Sequence, residues 1–132
     1  MSDRLSPVDP ETLARPRGYS HGMKGNGDIL FVAGQIGWDR HGHMVHGDFA
    51  AQFAQALDNV LEVVWKAGGG PTSVARLAIY VTDKDEYRRL QKEIGAAYRA
   101  RMGKHFPAMV LVEVKGLLED NAKVEIEAMA IL

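Results

Sequence analysis

Two glutamates alternate along the last apolar run, KVEIEAMAIL (residues 123–132), where Glu125 and Glu127 share one side of a strand. A carboxylate held in a partly dry place has its neutral form favoured and can serve as an acid or base. Alternation alone makes them polar residues on a solvated or interface face, so a catalytic reading needs more. Tyr19, in GYSHGM, offers a hydroxyl that can orient water or simply anchor a strand. His21, two residues on, is a further acid–base candidate. His41, His43 and His46 form H-x-H-x-x-H on a glycine-containing loop. That run is short and flexible and lacks an obvious fourth ligand, so no functional metal site is expected.

Other chemistries lack their residues. The sequence holds no cysteine, which removes thiol nucleophiles, disulfides and thiolate metal sites. GNG is too short for a phosphate loop, GGGP ends a helix where such a loop would begin one, and no G-x-S-x-G occurs. The net charge is −1 and aromatics are 8%, so neither nucleic acid nor an anionic membrane is an expected partner. No run approaches membrane-spanning length and no apolar leader is present, so a cytoplasmic location is expected.

The elements that must position these residues read clearly. At 132 residues with 46% apolar and 25% charged side chains, one globular domain is expected, residues 18–132, behind a polar, proline-bearing arm, 1–17. GYSHGM and ILFVAGQIGW flank KGNGD and read as a hairpin. A turn around Gly42 and a short strand near His43–Val45 follow. Asp48 can cap a helix whose apolar face is Phe49, Phe53, Leu57, Val60, Leu61 and Val64, stopped by Gly68 to Pro71. VARLAIYVTD is a strand. Asp83 or Asp85 opens a second helix with Tyr87, Leu90, Ile94, Ala97 and Met102 inward, closed by Gly103. FPAMVLVEV and KVEIEAMAIL finish the chain. The order β-β-β-α-β-α-β-β predicts an α+β two-layer sandwich, a mixed six-stranded sheet with two helices on one face. Several strands are apolar on both sides, so the uncovered sheet face is expected to pack against other copies, with the helices outside.

GYSHGM, ILFVAGQIGWD, AAQFAQALDNVLEVVWKAGG, VARLAIYVTD, FPAMVLVEV and VEIEAMA, in this order and spacing, resemble the Rid family, also called the YjgF or L-PSP endoribonuclease family. The resemblance runs from about Gly18 to Ile131. It implies a chorismate-mutase-like fold and a homotrimer with small-molecule clefts between subunits. It also implies hydrolysis of 2-imino or 2-aminoacrylate acids to 2-keto acids and ammonia, with no cofactor or metal.

Carried over residue by residue, Tyr19 takes the tyrosine position and Glu125 that of the water-positioning glutamate. Gly34 and Gln35 keep the Gly-Gln step, with Gly34 offering a backbone N–H. The family's serine is Ala33 here, and its carboxylate-binding arginine is Met109. Leu111 would help shape the site, with Trp38 at the rim as a stacking surface. Lys104, Lys115 and His21 are open as replacements for the arginine. Arginine suits a carboxylate through two parallel charged hydrogen bonds, whereas methionine offers neither charge nor donor. The expectation is a cofactor-free enamine or imine deaminase of altered specificity. The rival is a non-catalytic binding or regulatory protein on the same scaffold, and the ribonuclease label ranks third.

Overall fold

The computed structural model describes residues 4–132, so the first three residues of the arm lie outside the described ones. Asp48 caps the longest helix, α1 (Phe49–Lys66), accepting the Ala51 N–H at 3.2 Å. Its expected inner face, Phe49, Phe53, Leu57, Val60, Leu61 and Val64, is buried in the core. Gln52, which pattern alone places on a polar flank, is buried too. Its amide donates to the Asn121 carbonyl at 3.0 Å and accepts the Lys123 N–H at 2.8 Å. The helix thereby holds the entry to the last strand.

The strands are β1 (Leu5–Val8), β2 (Gly22–Gly25), β3 (Ile29–Gln35), β4 (Val74–Val81), β5 (Ala108–Glu113) and β6 (Val124–Ile131). They form two sheets rather than one. The main sheet has four strands in the order β3-β6-β4-β5, with only β4 and β5 parallel. Parallel neighbours require a crossover, here residues 82–107. β1 and β2 form a separate ribbon, joined to the main sheet by a bridge between Ser20 and Ala108.

The hairpin expected across residues 24–28 is therefore absent, and β2 pairs with the arm instead. Gly25 lies against the arm so closely that a Cβ would sit 2.2 Å from the Arg4 carbonyl oxygen. Gly27, at φ +139°, turns the chain away so that Asp28 and Leu132 exchange backbone hydrogen bonds at 2.8 Å. The proline-bearing arm itself carries β1. The short strand expected near His43 is a single bridge, Trp38 to Met44.

The second expected helix is two, α2 (Lys84–Arg89) and α3 (Gln91–Met102). Asp83 caps α2, accepting from Asp85 and Glu86, and Leu90 at φ −102°, ψ 16° breaks the axis. Gly103, at φ +62°, ends α3. The bend lets Tyr87 and Leu90 pack on the core beside Ile94, Tyr98 and Met102. All three helices lie on one layer, as the apolar periodicity predicts.

Candidate functional site

Ser20 joins the two segments that carry Tyr19 and Met109. Its N–H donates to the Pro107 carbonyl at 3.1 Å and its hydroxyl to the Phe106 carbonyl at 2.6 Å. Tyr19, Met109 and Leu111 consequently line one cavity of about 460 Å³ beneath α2 and α3. Phe53, Ile79, Tyr87, Ile94, Tyr98 and Phe106 give it a largely apolar and aromatic wall, with Gln91 among its polar lining. Tyr98 stacks on Phe106 with ring centroids 5.6 Å apart, and its hydroxyl donates to the His105 carbonyl at 2.6 Å. Burial pushes the Tyr98 phenol well above its ordinary value. Arg17 and Arg99 line this cavity as well.

Glu125 is elsewhere. Met109 stands beside Leu77 in the β4–β5 ladder, and Leu77 stands opposite Ala128 in the β4–β6 ladder. Those positions face the helices. Glu125 stands opposite Tyr80, one residue out of phase, and faces away. Strand alternation therefore puts Met109 and Glu125 on opposite sides of the sheet. Within one chain, then, Met109 does not stand beside Glu125.

On its own face Glu125 lies over the backbone of β3. The β3–β6 ladder slips between Val32 and Gln35, a bulge that contains Ala33 and Gly34. A Cβ on Gly34 would stand 2.2 Å from Glu125 Oε2 and would push the carboxylate out of this position. Among the described residues that carboxylate takes part in no hydrogen bond or ion pair. Glu127 accepts a hydrogen bond from the Tyr80 hydroxyl, and this bond, followed by burial, raises the Tyr80 phenol above its ordinary value. Around this polar group the same face exposes Phe31 (72%), Ile29 (58%), Val110 (39%) and Val112 (40%).

The other candidates stand apart. The ring of His21 contacts that of Tyr19 edge-on at 5.4 Å, but its Nε2 donates to the Ala14 carbonyl at 2.6 Å and its backbone N–H to Asp9 at 2.7 Å. It ties down the arm. Trp38 lies at the far end of β3, beside Asp39, Gln55 and Asn59, away from the Tyr19 cavity. Lys104 and Lys115 each line a different cavity. Asp39 accepts the backbone N–H groups of His41 and His43, which hold its carboxyl below the usual range. Among the described residues no three His, Asp or Glu side chains converge on a metal position.

Residues 11–132 match the family model described as Endoribonuclease L-PSP. The chain belongs to the L-PSP, or Rid, family. This Rid chain is 36% identical over 122 residues to a RutC family protein of Pyrococcus horikoshii, covering 91% of the chain and 92% of that protein. It is 34% identical over 108 residues to the 2-iminobutanoate/2-iminopropanoate deaminase of Escherichia coli, covering 80% of each. The crystal structure of the Rid protein YyfB from Yersinia pestis, of unknown function, superposes with a TM-score of 0.85 at 34% identity over 98% of this chain and 99% of that one. The α+β architecture of the Rid chain is thus that of solved Rid proteins.

Sequence reasoning missed Arg17, Arg99 and the aromatic wall. Arg99 had one signal, a glycine four residues earlier inside a helix.

Proposed function

We propose that this Rid protein is a cofactor-free hydrolytic deaminase of an enamine or imine acid, acting as a homotrimer in the cytoplasm. Its sites would be composite. Tyr19, Met109 and Leu111 come from the cavity of one copy, and Ala33, Gly34 and Glu125 come from the sheet face of the next. The observation that carries the reading is Glu125 itself: a half-buried carboxylate without a partner among the described residues, seated over Gly34 on a face with exposed Phe31, Val110 and Val112. Exposed apolar side chains around Glu125 fit an interface that contains a reacting group. The identity to an imine deaminase supports the reaction class.

In that arrangement Glu125 takes a proton from water as the oxygen adds to the imine carbon. Glu125 passes that proton to the imine nitrogen, and the tetrahedral carbinolamine forms. Glu125 then takes the hydroxyl proton and delivers it to the amine nitrogen, the C–N bond breaks, and 2-keto acid and ammonia leave. An enamine first takes a proton at its terminal carbon. Tyr19 orients the water or the nitrogen. General acid–base help of this kind is worth roughly 10²–10⁴-fold. Neither a metal nor a redox partner enters the balance. A ribonuclease would need a basic groove, and a chain of net charge −1 offers little for one. Among the described residues no helix is long and apolar enough to cross a membrane.

The test generates 2-imino acids in situ from a panel of amino acids and follows keto acid and ammonia. Wild type should accelerate hydrolysis, and Glu125→Gln should lower it by roughly 10²-fold or more. Silence of both wild type and Met109→Arg would sink the imino-acid reading in favour of a binding protein. Gain of activity by Met109→Arg alone would mark a family pocket of altered specificity.

A further inference from the structure

Met109 brings no charge to the cavity it lines, yet the cavity has cations. Arg17 enters from the segment before Tyr19, and Arg99 from α3. Neither guanidinium has a hydrogen bond or ion pair among the described residues. Arg101, two residues past Arg99, is by contrast held by Asp58 at 2.6 Å. A guanidinium left free at the edge of an apolar cavity is suited to a planar anion through paired N–H groups.

Gly95 is the second observation. It lies inside α3 with no positive φ, so its backbone does not require glycine. Glycine inside a helix costs stability relative to alanine. Gly95 lines the same cavity, and a Cβ there would come within 3.2 Å of Arg99 Nη1. Its bare backbone gives the Arg99 guanidinium room to fold back one turn along the cavity wall. The wall beyond is aromatic, with Tyr87, Tyr98 and Phe106. A volume of about 460 Å³ sits inside the usual range for ligand sites, about 300–1,000 Å³. A short acid such as pyruvate would leave that wall in contact with water.

We propose that Arg17 and Arg99, in place of an arginine at position 109, bind the carboxylate in this cavity, and that the ligand is a 2-imino acid with a large apolar or aromatic side chain. This deepens the deaminase reading and rests on it for the imino group. The test therefore measures binding rather than turnover. Phenylpyruvate, the keto product of such an acid, is titrated calorimetrically into the intact protein beside pyruvate, 2-oxoglutarate and the uncharged phenylacetone.

Phenylpyruvate should bind at least about tenfold more tightly than pyruvate, because only it covers the apolar wall. Arg99→Ala and Arg17→Ala, both surface changes, should each weaken phenylpyruvate by roughly tenfold or more and leave phenylacetone unchanged. Gly95→Ala should melt at a higher temperature yet bind phenylpyruvate less well, a pairing that a merely structural glycine would not produce. The inference is overturned if both arginine variants bind phenylpyruvate like wild type, if pyruvate matches phenylpyruvate, or if 2-oxoglutarate exceeds it. A protein that binds phenylpyruvate through these arginines but hydrolyses no imino acid keeps the inference about the cavity and loses the deaminase reading. One that hydrolyses short imino acids and ignores both substitutions does the reverse.

Discussion

Gly34 decides where the Glu125 carboxylate of the proposed site can sit. With a methyl group 2.2 Å from its oxygen, Glu125 would have to swing off β3. Gly34→Ala should therefore lower deaminase turnover by about 100-fold, the cost of misplacing a reacting group by about 1 Å. The chain should stay folded, because Gly34 has no positive φ and the group it would displace is a side chain on the exposed face. Equal turnover in Gly34→Ala and wild type, measured on the same imino acid, would remove Glu125 from the reaction. The same scale explains what is legible in the letters. Glu125 and Tyr19 stand in recognisable surroundings, KVEIEAMA and GYSHGM. Arg17 and Arg99 look like ordinary surface arginines until the fold puts them beside Met109.

At the scale of elements, α1 does more than cover the sheet. Gln52 reaches from its inner face to both sides of the turn before β6, through the Asn121 carbonyl and the Lys123 N–H. Those bonds set the start of the strand that carries Glu125 two residues later. Gln52→Leu keeps a side chain of similar volume but removes the amide and strands both backbone groups. It should cost about 1–3 kcal/mol, read as a lower urea midpoint with unchanged slope. A midpoint equal to wild type would show that water takes over both bonds. The break at Leu90 belongs to this scale as well. The apolar pattern from Tyr87 to Met102 runs through it, since both halves keep their inward faces, so periodicity alone reads one helix. The β2 pairing was hidden for a related reason. Turn residues at Gly25 to Asp28 announce a reversal, but which strand β2 then meets depends on the arm.

For the whole molecule, the single chain holds its proposed machinery on two opposite faces. Tyr19 opens into the helix-side cavity and Glu125 faces outward with Phe31, so the proposed composite site needs a second copy to bring them together. Phe31, 72% exposed, supports little within its own chain. Phe31→Asp should leave the circular dichroism spectrum intact while shifting the sedimenting species toward the 14.5 kDa single chain. Turnover should fall with it by at least about 100-fold, through loss of positioning. A Phe31→Asp protein that is a fully active monomer would rule out composite sites.

The sequence by itself determined the inner face of α1, the alternation of β6 and the family, because each follows from local spacing along the chain. Hydrophobic periods of 3.6 and 2 are visible in the letters, and so are the capping residues Asp48 and Asp83. Only the tertiary structure decided that Met109 and Glu125 face opposite ways, since that depends on how β5 and β6 are each registered against β4, which separates them. It also decided which cations reach the cavity. Arg17 and Arg99 are 82 positions apart in sequence, and nothing local to either one indicates that the Ser20 contacts to Phe106 and Pro107 draw the arm's end under α3.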